Sequence, residues 1–147
     1  MNIDEIVAYW DKDSKIDETE LGSEAAKIPR IHNKYLKIFM GERVILFNMR
    51  SDRNKLRRSL LEYYLGELDK DELVELGRDQ FYKKLLKSEV ENYIESDDLY
   101  IDTNLQVAMQ QEKVDYLDAI IRSLNNRNFQ IKSALDWLRF TQGNMIS

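Results

Sequence analysis

Residues that break helices are scarce along this chain, which contains one proline, Pro29, and five glycines among 147 residues. Sheets joined by tight turns need more of both residue types, so this scarcity favours long helices. Apolar residues recur at three- and four-residue spacing over most of the chain, as helices with one buried face require. The sequence shows no alternating strand pattern. The predicted fold class is therefore all-α, with several long helices.

Three turn signals lie in the N-terminal half. Pro29 has no backbone N–H and predicts a kink or a helix start nearby. Gly41 predicts a second break, because glycine is a poor helix former. Gly66 follows a helical pattern over residues 42–65 and is a plausible C-terminal cap for that helix.

Two further signals lie in the C-terminal half. Ser88 and Glu91 match the capping box S-x-x-E ahead of a short helix over about 89–95. An asparagine cluster predicts the end of a long helix that starts near residue 99. The members of this cluster are Asn125, Asn126 and Asn128. We therefore expect one helical domain in three parts. Residues 1–66 form an N-terminal part with a basic DNA-binding helix, residues 67–98 form an acidic linking segment with a short helix, and residues 99–147 form C-terminal oligomerisation helices.

The residues needed for most catalytic chemistry are missing. The chain has no cysteine and one histidine, His32, which excludes disulfides, thiolate metal sites and a second histidine for a metal centre or triad. No glycine-rich phosphate loop is present. Asp11, Asp13 and Asp17 have the spacing of a calcium loop, but Ile16 stands where that loop needs glycine. We expect no enzyme activity, no catalytic residue, no cofactor and no metal site, with a carboxylate-metal enzyme as the least favoured alternative.

Positive charge is concentrated in one predicted helix, although the chain carries a formal net charge of −5. Residues 41–65 hold six Lys or Arg against three Asp or Glu, whereas residues 66–80 hold two against six. At about 100° per residue, three of the arginines and Tyr64 fall in one stripe of this helix. The candidate nucleic-acid contacts in this segment are Arg50, Arg53, Lys55, Arg57, Arg58 and Tyr64.

Two interpretations of this basic segment fit the residues. The first is a solvated helix face in which arginine stems cover apolar neighbours. The second is a track for single-stranded nucleic acid, in which guanidinium groups bind phosphates and aromatic rings accept bases. Arginine outnumbers lysine four to one among the cations from residue 50 to 58, which favours the second interpretation because solubility alone does not require arginine.

The apolar positions of the C-terminal helices also allow two interpretations. They repeat at three- and four-residue spacing, which fits packing within the chain and packing between subunits equally well. The candidate oligomerisation residues are Leu117, Ile121, Leu124, Ile131, Leu135 and Leu138.

Several short segments, in their order and spacing, resemble the UvsY family of recombination mediators of tailed phages, especially the forms found in cyanophages. The resemblance covers about residues 16–143. The segments are ID-x-T-x-L at Ile16–Leu21, IPRIHNKYL at Ile28–Leu36, L-E-Y-Y-x-G at Leu61–Gly66, LLKSEVENYIESD at Leu85–Asp97, and NNRNFQIKSALDW-x-x-F-x-x-G at Asn125–Gly143.

This resemblance implies a non-enzymatic protein that assembles into a homo-oligomeric ring of six or seven subunits. It implies binding to single-stranded DNA, displacement of the phage single-strand-binding protein, and loading of a RecA-like recombinase of the UvsX type. The implied location is the cytoplasm of the infected bacterial host, and we expect no membrane partner, since no apolar run approaches about 20 residues.

The resemblance also places DNA contacts just before the Tyr-Tyr pair and assembly in the C-terminal helices. The family pattern has two basic residues around a small one before L-x-Y-Y. Here Arg58 and Ser59 fit that pattern, but Leu60 replaces the second basic residue. We expect Lys55, Arg57 and Arg53 to compensate one turn earlier. The alternative function is a helical protein–protein adaptor that binds no DNA.

Overall fold

The computed structural model describes residues 1–143, and these residues form five helices and no strand. The helices are α1 (Ile3–Asp13), α2 (Leu21–Tyr64), α3 (Lys70–Leu76), α4 (Lys87–Glu95) and α5 (Asp98–Thr141). The all-α prediction is confirmed, and the two 44-residue helices, α2 and α5, account for most of the chain. Among the described residues, none of these helices combines the length and the apolar character that crossing a membrane requires.

Helix α2 runs from Leu21 through Pro29 and Gly41, so no helix starts at Pro29 and the break predicted at Gly41 is wrong. Pro29 is exposed, whereas the preceding Ile28 is buried. Glu42, directly after Gly41, is also buried and pairs with Lys113 Nζ at 3.5 Å. Packing on either side of each residue therefore outweighs a local cost of about 1 kcal/mol for glycine and about 3 kcal/mol for proline.

The end of α2 follows the prediction. Gly66 has a φ of +73°, in the left-handed region that glycine adopts without strain. Its N–H bonds to the carbonyl of Tyr63 at 3.0 Å, and the next N–H, of Glu67, bonds to that of Glu62 at 2.9 Å. Gly66 therefore closes α2 as a C-terminal cap.

Helix α5 is continuous through the asparagine cluster, so the break predicted there is also wrong. Arg127 lies inside this cluster and is almost completely buried. It donates a hydrogen bond to the backbone oxygen of Ser14 at 3.1 Å, and its guanidinium lies 5.5 Å from the ring centre of Trp10. Leu124 and Ile131, on either side, are buried as well. These long-range contacts outweigh the weak helix preference of asparagine.

Helix α4 starts at Lys87, two residues earlier than a capping box at Ser88 allows, which makes the prediction of that box wrong. Leu86 precedes the helix, and the carboxylate of Glu89 accepts a hydrogen bond from the Leu86 N–H at 3.4 Å. A capping box does occur at α3, where the Asp69 side chain accepts from the Glu72 N–H at 2.8 Å. Glu72 in turn accepts from the Asp69 N–H at 3.3 Å.

The chain divides into two compact units. The first contains Met1–Arg43 and the described residues from Glu112 onward, and the second contains Val44–Gln111. Helices α2 and α5 each contribute residues to both units. In the first unit, the two helices run antiparallel beside α1, and the largest core cluster consists of Ile6, Tyr35, Leu117, Ile120 and Leu124. Ile131 joins α5 to Leu21 and Ile28 of α2 in a second cluster.

In the second unit, the C-terminal part of α2 packs against α4 and the start of α5. Its buried core residues are Leu60, Tyr64, Val90 and Ile94. The segment between α3 and α4, residues 77–86, contributes Phe81 and Leu85 to the edge of this core. We call residues 77–86 the connector.

Candidate nucleic-acid interface

The cations of the basic segment occupy two different sides of α2 in the second unit. Arg50 donates a hydrogen bond to Gln111 of α5, and Arg57 forms an ion pair with Glu91 of α4. The hydrogen bond to Glu91 raises the pKa of Arg57 above its ordinary value. Two arginines of the predicted stripe, Arg50 and Arg57, therefore contact neighbouring helices, and Arg57 is half-buried whereas Arg50 is exposed.

Tyr64 continues this inward side and is only 9 % exposed. Its hydroxyl donates a hydrogen bond to Asp97 Oδ2 at 2.6 Å, and its ring packs edge-on against Phe81 at a centroid distance of 5.0 Å. Burial and the bond to Asp97 raise the pKa of Tyr64 to about 12. Because its ring is covered on several sides, Tyr64 does not offer the stacking surface that the sequence suggested.

The outward side of α2 carries Lys55 and Arg58. The side chain of Arg58 is 83 % exposed, and its only ion pair among the described residues is with Glu62 at 3.4 Å. Such an exposed pair contributes little to stability and is exchanged easily. Lys55 is exposed and Arg53 half-buried, and neither forms an ion pair with a described residue. Lys55 and Arg58 are the cations that a strand can reach without displacing α4 or α5, because Arg53 lies on the side of α2 that carries Arg57 and Tyr64.

Asp97 fixes the end of α2 to the connector and to the start of α5. Its buried carboxylate accepts two hydrogen bonds from Arg78, at 2.5 and 2.8 Å, besides the one from Tyr64. It also accepts from the Leu99 N–H at 3.0 Å and thereby caps the N-terminus of α5. The role of Arg78 was not predictable from local spacing, because its partner lies 19 residues away.

The connector carries polar and aromatic groups that the sequence analysis missed. Tyr82 is 86 % exposed, and Lys83 and Lys84 follow it directly. The signal that could have revealed them is an aromatic residue beside two lysines in a segment without helical periodicity.

The candidate oligomerisation residues separate into two groups. Leu117, Leu124 and Ile131 are buried in the core of the first unit, and Ile121 packs against that core. Their apolar spacing is therefore explained by packing within the chain, which makes them unavailable to a second subunit in this conformation.

Leu135 and Leu138 belong to the second group and are exposed. The sequence analysis missed two larger neighbours, Trp137 and Phe140, which are 65 % and 61 % exposed and stack on each other at 6.0 Å. Their W-x-x-F spacing, which places both rings on one helix face, was the available signal. The two leucines lie on a different side of α5 from the two rings, and we call all four residues together the α5 end patch.

Within residues 1–143, no three His, Asp or Glu side chains come together to hold a metal ion. The fold and the candidate site together define an all-helical protein with an open cationic helix face and an exposed aromatic patch at the end of a long helix. The chain belongs to the UvsY family, described as "Recombination, repair and ssDNA binding protein UvsY", and the family match covers residues 9–144. The family resemblance noted in the sequence is thereby confirmed.

Solved structures of the bacteriophage T4 recombination mediator protein UvsY are similar to this chain. The structure in lattice type IV matches with a TM-score of 0.83 and 19 % identity, over 95 % of this chain and 99 % of that chain. The structure in lattice type II matches with a TM-score of 0.83 and 21 % identity, over 97 % and 99 %. At this level of identity the likeness establishes the fold. No protein in the curated sequence collection matches the chain significantly.

Proposed function

We propose that this chain is a recombination mediator that binds single-stranded DNA as a homo-oligomer in the cytoplasm of the infected host. In this role it helps a RecA-like recombinase of the UvsX type replace the phage single-strand-binding protein. It acts by binding, without a catalytic step. The observation that carries the proposal is the family match over residues 9–144. The shared fold with a T4 protein named as a recombination mediator supports it.

The proposed DNA surface is the outward side of α2. Arg58 and Lys55 bind phosphates directly, because both are exposed and Arg58 has only a weak ion pair. Arg53 is half-buried on the side of α2 that carries Arg57 and contributes only together with it. Arg50 and Arg57 join when a phosphate replaces Gln111 or Glu91 as their partner. In this proposal Tyr64 positions the end of α2 through Asp97 and does not touch the DNA.

The test is the salt dependence of binding to an unstructured oligonucleotide. Log affinity falls with log salt concentration, and each phosphate contact on a single strand makes this negative slope steeper by about 0.7. The double variant Lys55→Gln, Arg58→Gln is expected to bind more weakly and to lose about 1.4 from that slope per subunit engaged. The matched control is Arg122→Gln, Lys132→Gln, which removes the same charge from exposed positions of α5 and is expected to keep the native slope.

Two outcomes would contradict the proposal in different ways. If both double variants lose the same slope, only overall charge matters, and α2 is not the DNA surface. If the native protein shows no salt-dependent binding to single strands, the chain is better described as a protein–protein adaptor.

The proposed assembly surface is the α5 end patch. From residue 135 to 142 every residue is exposed, so this end of α5 lies beyond the packed part of the first unit. Exposed apolar residues grouped in this way commonly mark a surface that binds another protein chain. Leu135 and Leu138 therefore keep the assembly role expected from the sequence, now together with Trp137 and Phe140. The proposed assembly is a ring of six or seven subunits.

A further inference from the structure

We propose that the connector is a second contact for the same single strand, in which Tyr82 stacks on a base and Lys83 and Lys84 bind the adjacent phosphates. This inference rests on the proposed function and adds a base-stacking group to a surface that otherwise binds phosphates only. Tyr64, the aromatic residue nearest the basic segment, is buried and cannot serve as that group, and the exposed ring of α2, Phe47, lies 11 residues before Arg58.

The structure holds Tyr82 outward from an anchored backbone. Phe81 and Leu85, on either side, pack against the core of the second unit. Gln80 adds a hydrogen bond from its side chain to the backbone oxygen of Gly66 at 3.4 Å. Tyr82 itself is 86 % exposed, whereas the other strongly exposed tyrosine of the described chain, Tyr9, is 46 % exposed. A ring held in water by an ordered segment is prepared to stack at a low cost in conformational entropy.

The two lysines keep their positive charge, and the hydrogen bond to Tyr93 and, to a smaller extent, the charge of Glu89 raise the pKa of Lys83. Lys83 Nζ lies 3.0 Å from the hydroxyl of Tyr93 and 5.5 Å from the centre of its ring. This arrangement positions the ammonium group without neutralising it. Lys84 is exposed, and neither lysine forms an ion pair with a described residue. An aromatic ring beside unpaired cations is the combination that binds single strands without sequence preference.

The connector site is continuous with the proposed DNA side of α2. A depression of about 440 Å³ is lined by Tyr82, Lys83 and Lys84 together with Leu65 and Gly66 at the end of α2. Leu65 follows Arg58 by seven positions, which places the two on the same side of the chain about 10 Å apart at helical rise. A strand bound to Arg58 therefore reaches Tyr82 by continuing in one direction. An acidic peptide would use the lysines equally well, but it would leave the exposed ring without a stacking partner.

The experiment compares an oligo-dT strand with a strand of equal length in which abasic sites replace the bases. Stacking of one base on an aromatic ring is worth about fivefold to about 140-fold in affinity. Tyr82→Ser is expected to weaken oligo-dT binding by at least about fivefold and to reduce the preference for oligo-dT over the abasic strand. Tyr82→Phe keeps the ring and is expected to retain both. Tyr9→Ser, which removes an exposed tyrosine beside a lysine in the first unit, is the matched control and is expected to behave as the native protein.

The lysines are tested separately by their salt slope. Lys83→Gln, Lys84→Gln is expected to lose about 1.4 from the slope for each connector engaged, whereas Lys70→Gln in α3 is expected to leave it unchanged. The stacking contact would be overturned if the lysine variant lost salt slope while Tyr82→Ser still preferred oligo-dT over the abasic strand as the native protein does.

The outcomes separate this inference from the function on which it rests. If the native protein binds oligo-dT and all connector variants bind like it, the connector site is overturned while the proposed function stands. If the native protein binds neither strand, both are overturned. Since Tyr82 and Lys84 are exposed, the variants are expected to have the same thermal unfolding midpoint as the native protein. Circular dichroism measures this midpoint.

Discussion

Asp97 joins three parts of the second unit through one carboxylate. It accepts hydrogen bonds from Tyr64 at the end of α2, from Arg78 in the connector, and from two N–H groups at the start of α5. The side chain is 2 % exposed, so its charge depends on these partners for stabilisation. Burial alone would raise the pKa of Asp97, but the bonds from Arg78 and Tyr64 and the charge of Arg78 lower it to about 2.

Replacing Asp97 by Asn is expected to destabilise the protein by about 2–4 kcal/mol, since Arg78 then loses the charge that balances it. Chemical denaturation at pH 7 measures this difference. Asp98→Asn, at the exposed neighbouring position, is the control and is expected to change the free energy of unfolding by less than about 0.5 kcal/mol. Equal effects of the two substitutions would contradict the role of Asp97.

The same carboxylate predicts a pH dependence. A folded-state pKa below the unfolded value means that the stabilisation is complete above the ordinary pKa of 3.8 and is lost as the pH falls towards about 2. The difference in unfolding free energy between native protein and Asp97→Asn is therefore expected to shrink between about pH 4 and about pH 2. A difference that stays constant over this range would assign the stabilisation to another group.

Tyr64 shows why single residues of the site were hard to place from the sequence. The helical projection correctly grouped Tyr64 with Arg50 and Arg57 on one side of α2. It could not show which side faces the rest of the unit, because the partners of that side are distant in sequence: Asp97, Glu91 and Gln111 lie 33, 34 and 61 residues away, respectively. Position on a helix was therefore predictable from local spacing, and burial was not.

At the scale of elements, the existence and type of the long helices were predictable, and their interruptions were not. Gly41 and the asparagine cluster are weak local signals, worth about 1 kcal/mol or less per residue. Contacts such as the Glu42–Lys113 ion pair and the buried Arg127 act across the first unit and keep the helices continuous. Gly66 was predicted correctly because its conformation, a φ of +73°, is required locally.

Two glycine substitutions test this distinction. Gly41→Ala is expected to stabilise the protein by about 0.5–1 kcal/mol, because Gly41 is in mid-helix and an added Cβ would meet no atom within 4 Å. Gly66→Ala is expected to destabilise it by about 1 kcal/mol, because alanine is strained at positive φ. Thermal unfolding of both variants measures the signs. A loss of stability in Gly41→Ala would mean that α2 is broken there after all.

At the scale of the whole molecule, a net charge of −5 has to be reconciled with binding to a polyanion. One subunit offers a short cationic side of α2, and a few exposed phosphate contacts bind weakly at physiological salt. An assembly presents several such sides to one strand, so that each contact after the first is intramolecular and affinity rises without any new type of contact. In the proposed function, DNA binding and assembly therefore depend on each other.

The α5 end patch allows these two properties to be separated. Leu117 is unsuitable for this purpose, because it is fully buried and a charge there would unfold the first unit. Trp137→Ser, Phe140→Ser instead changes exposed side chains and is expected to give smaller species with native helix content. The control is Val74→Ser, which removes an apolar side chain that is 80 % exposed in α3. Mass photometry and circular dichroism measure the two effects.

The dependence of affinity on strand length then tests the multivalent mechanism. For the native protein, affinity is expected to rise steeply with oligonucleotide length until the sites of one assembly are filled, because longer strands engage more subunits. For Trp137→Ser, Phe140→Ser, the arginines and lysines are unchanged, so short strands are expected to bind as they do to the native protein, while the gain with length is lost. If the smaller species binds long strands as tightly as the native assembly, one subunit is a sufficient site, and assembly serves a purpose other than DNA affinity.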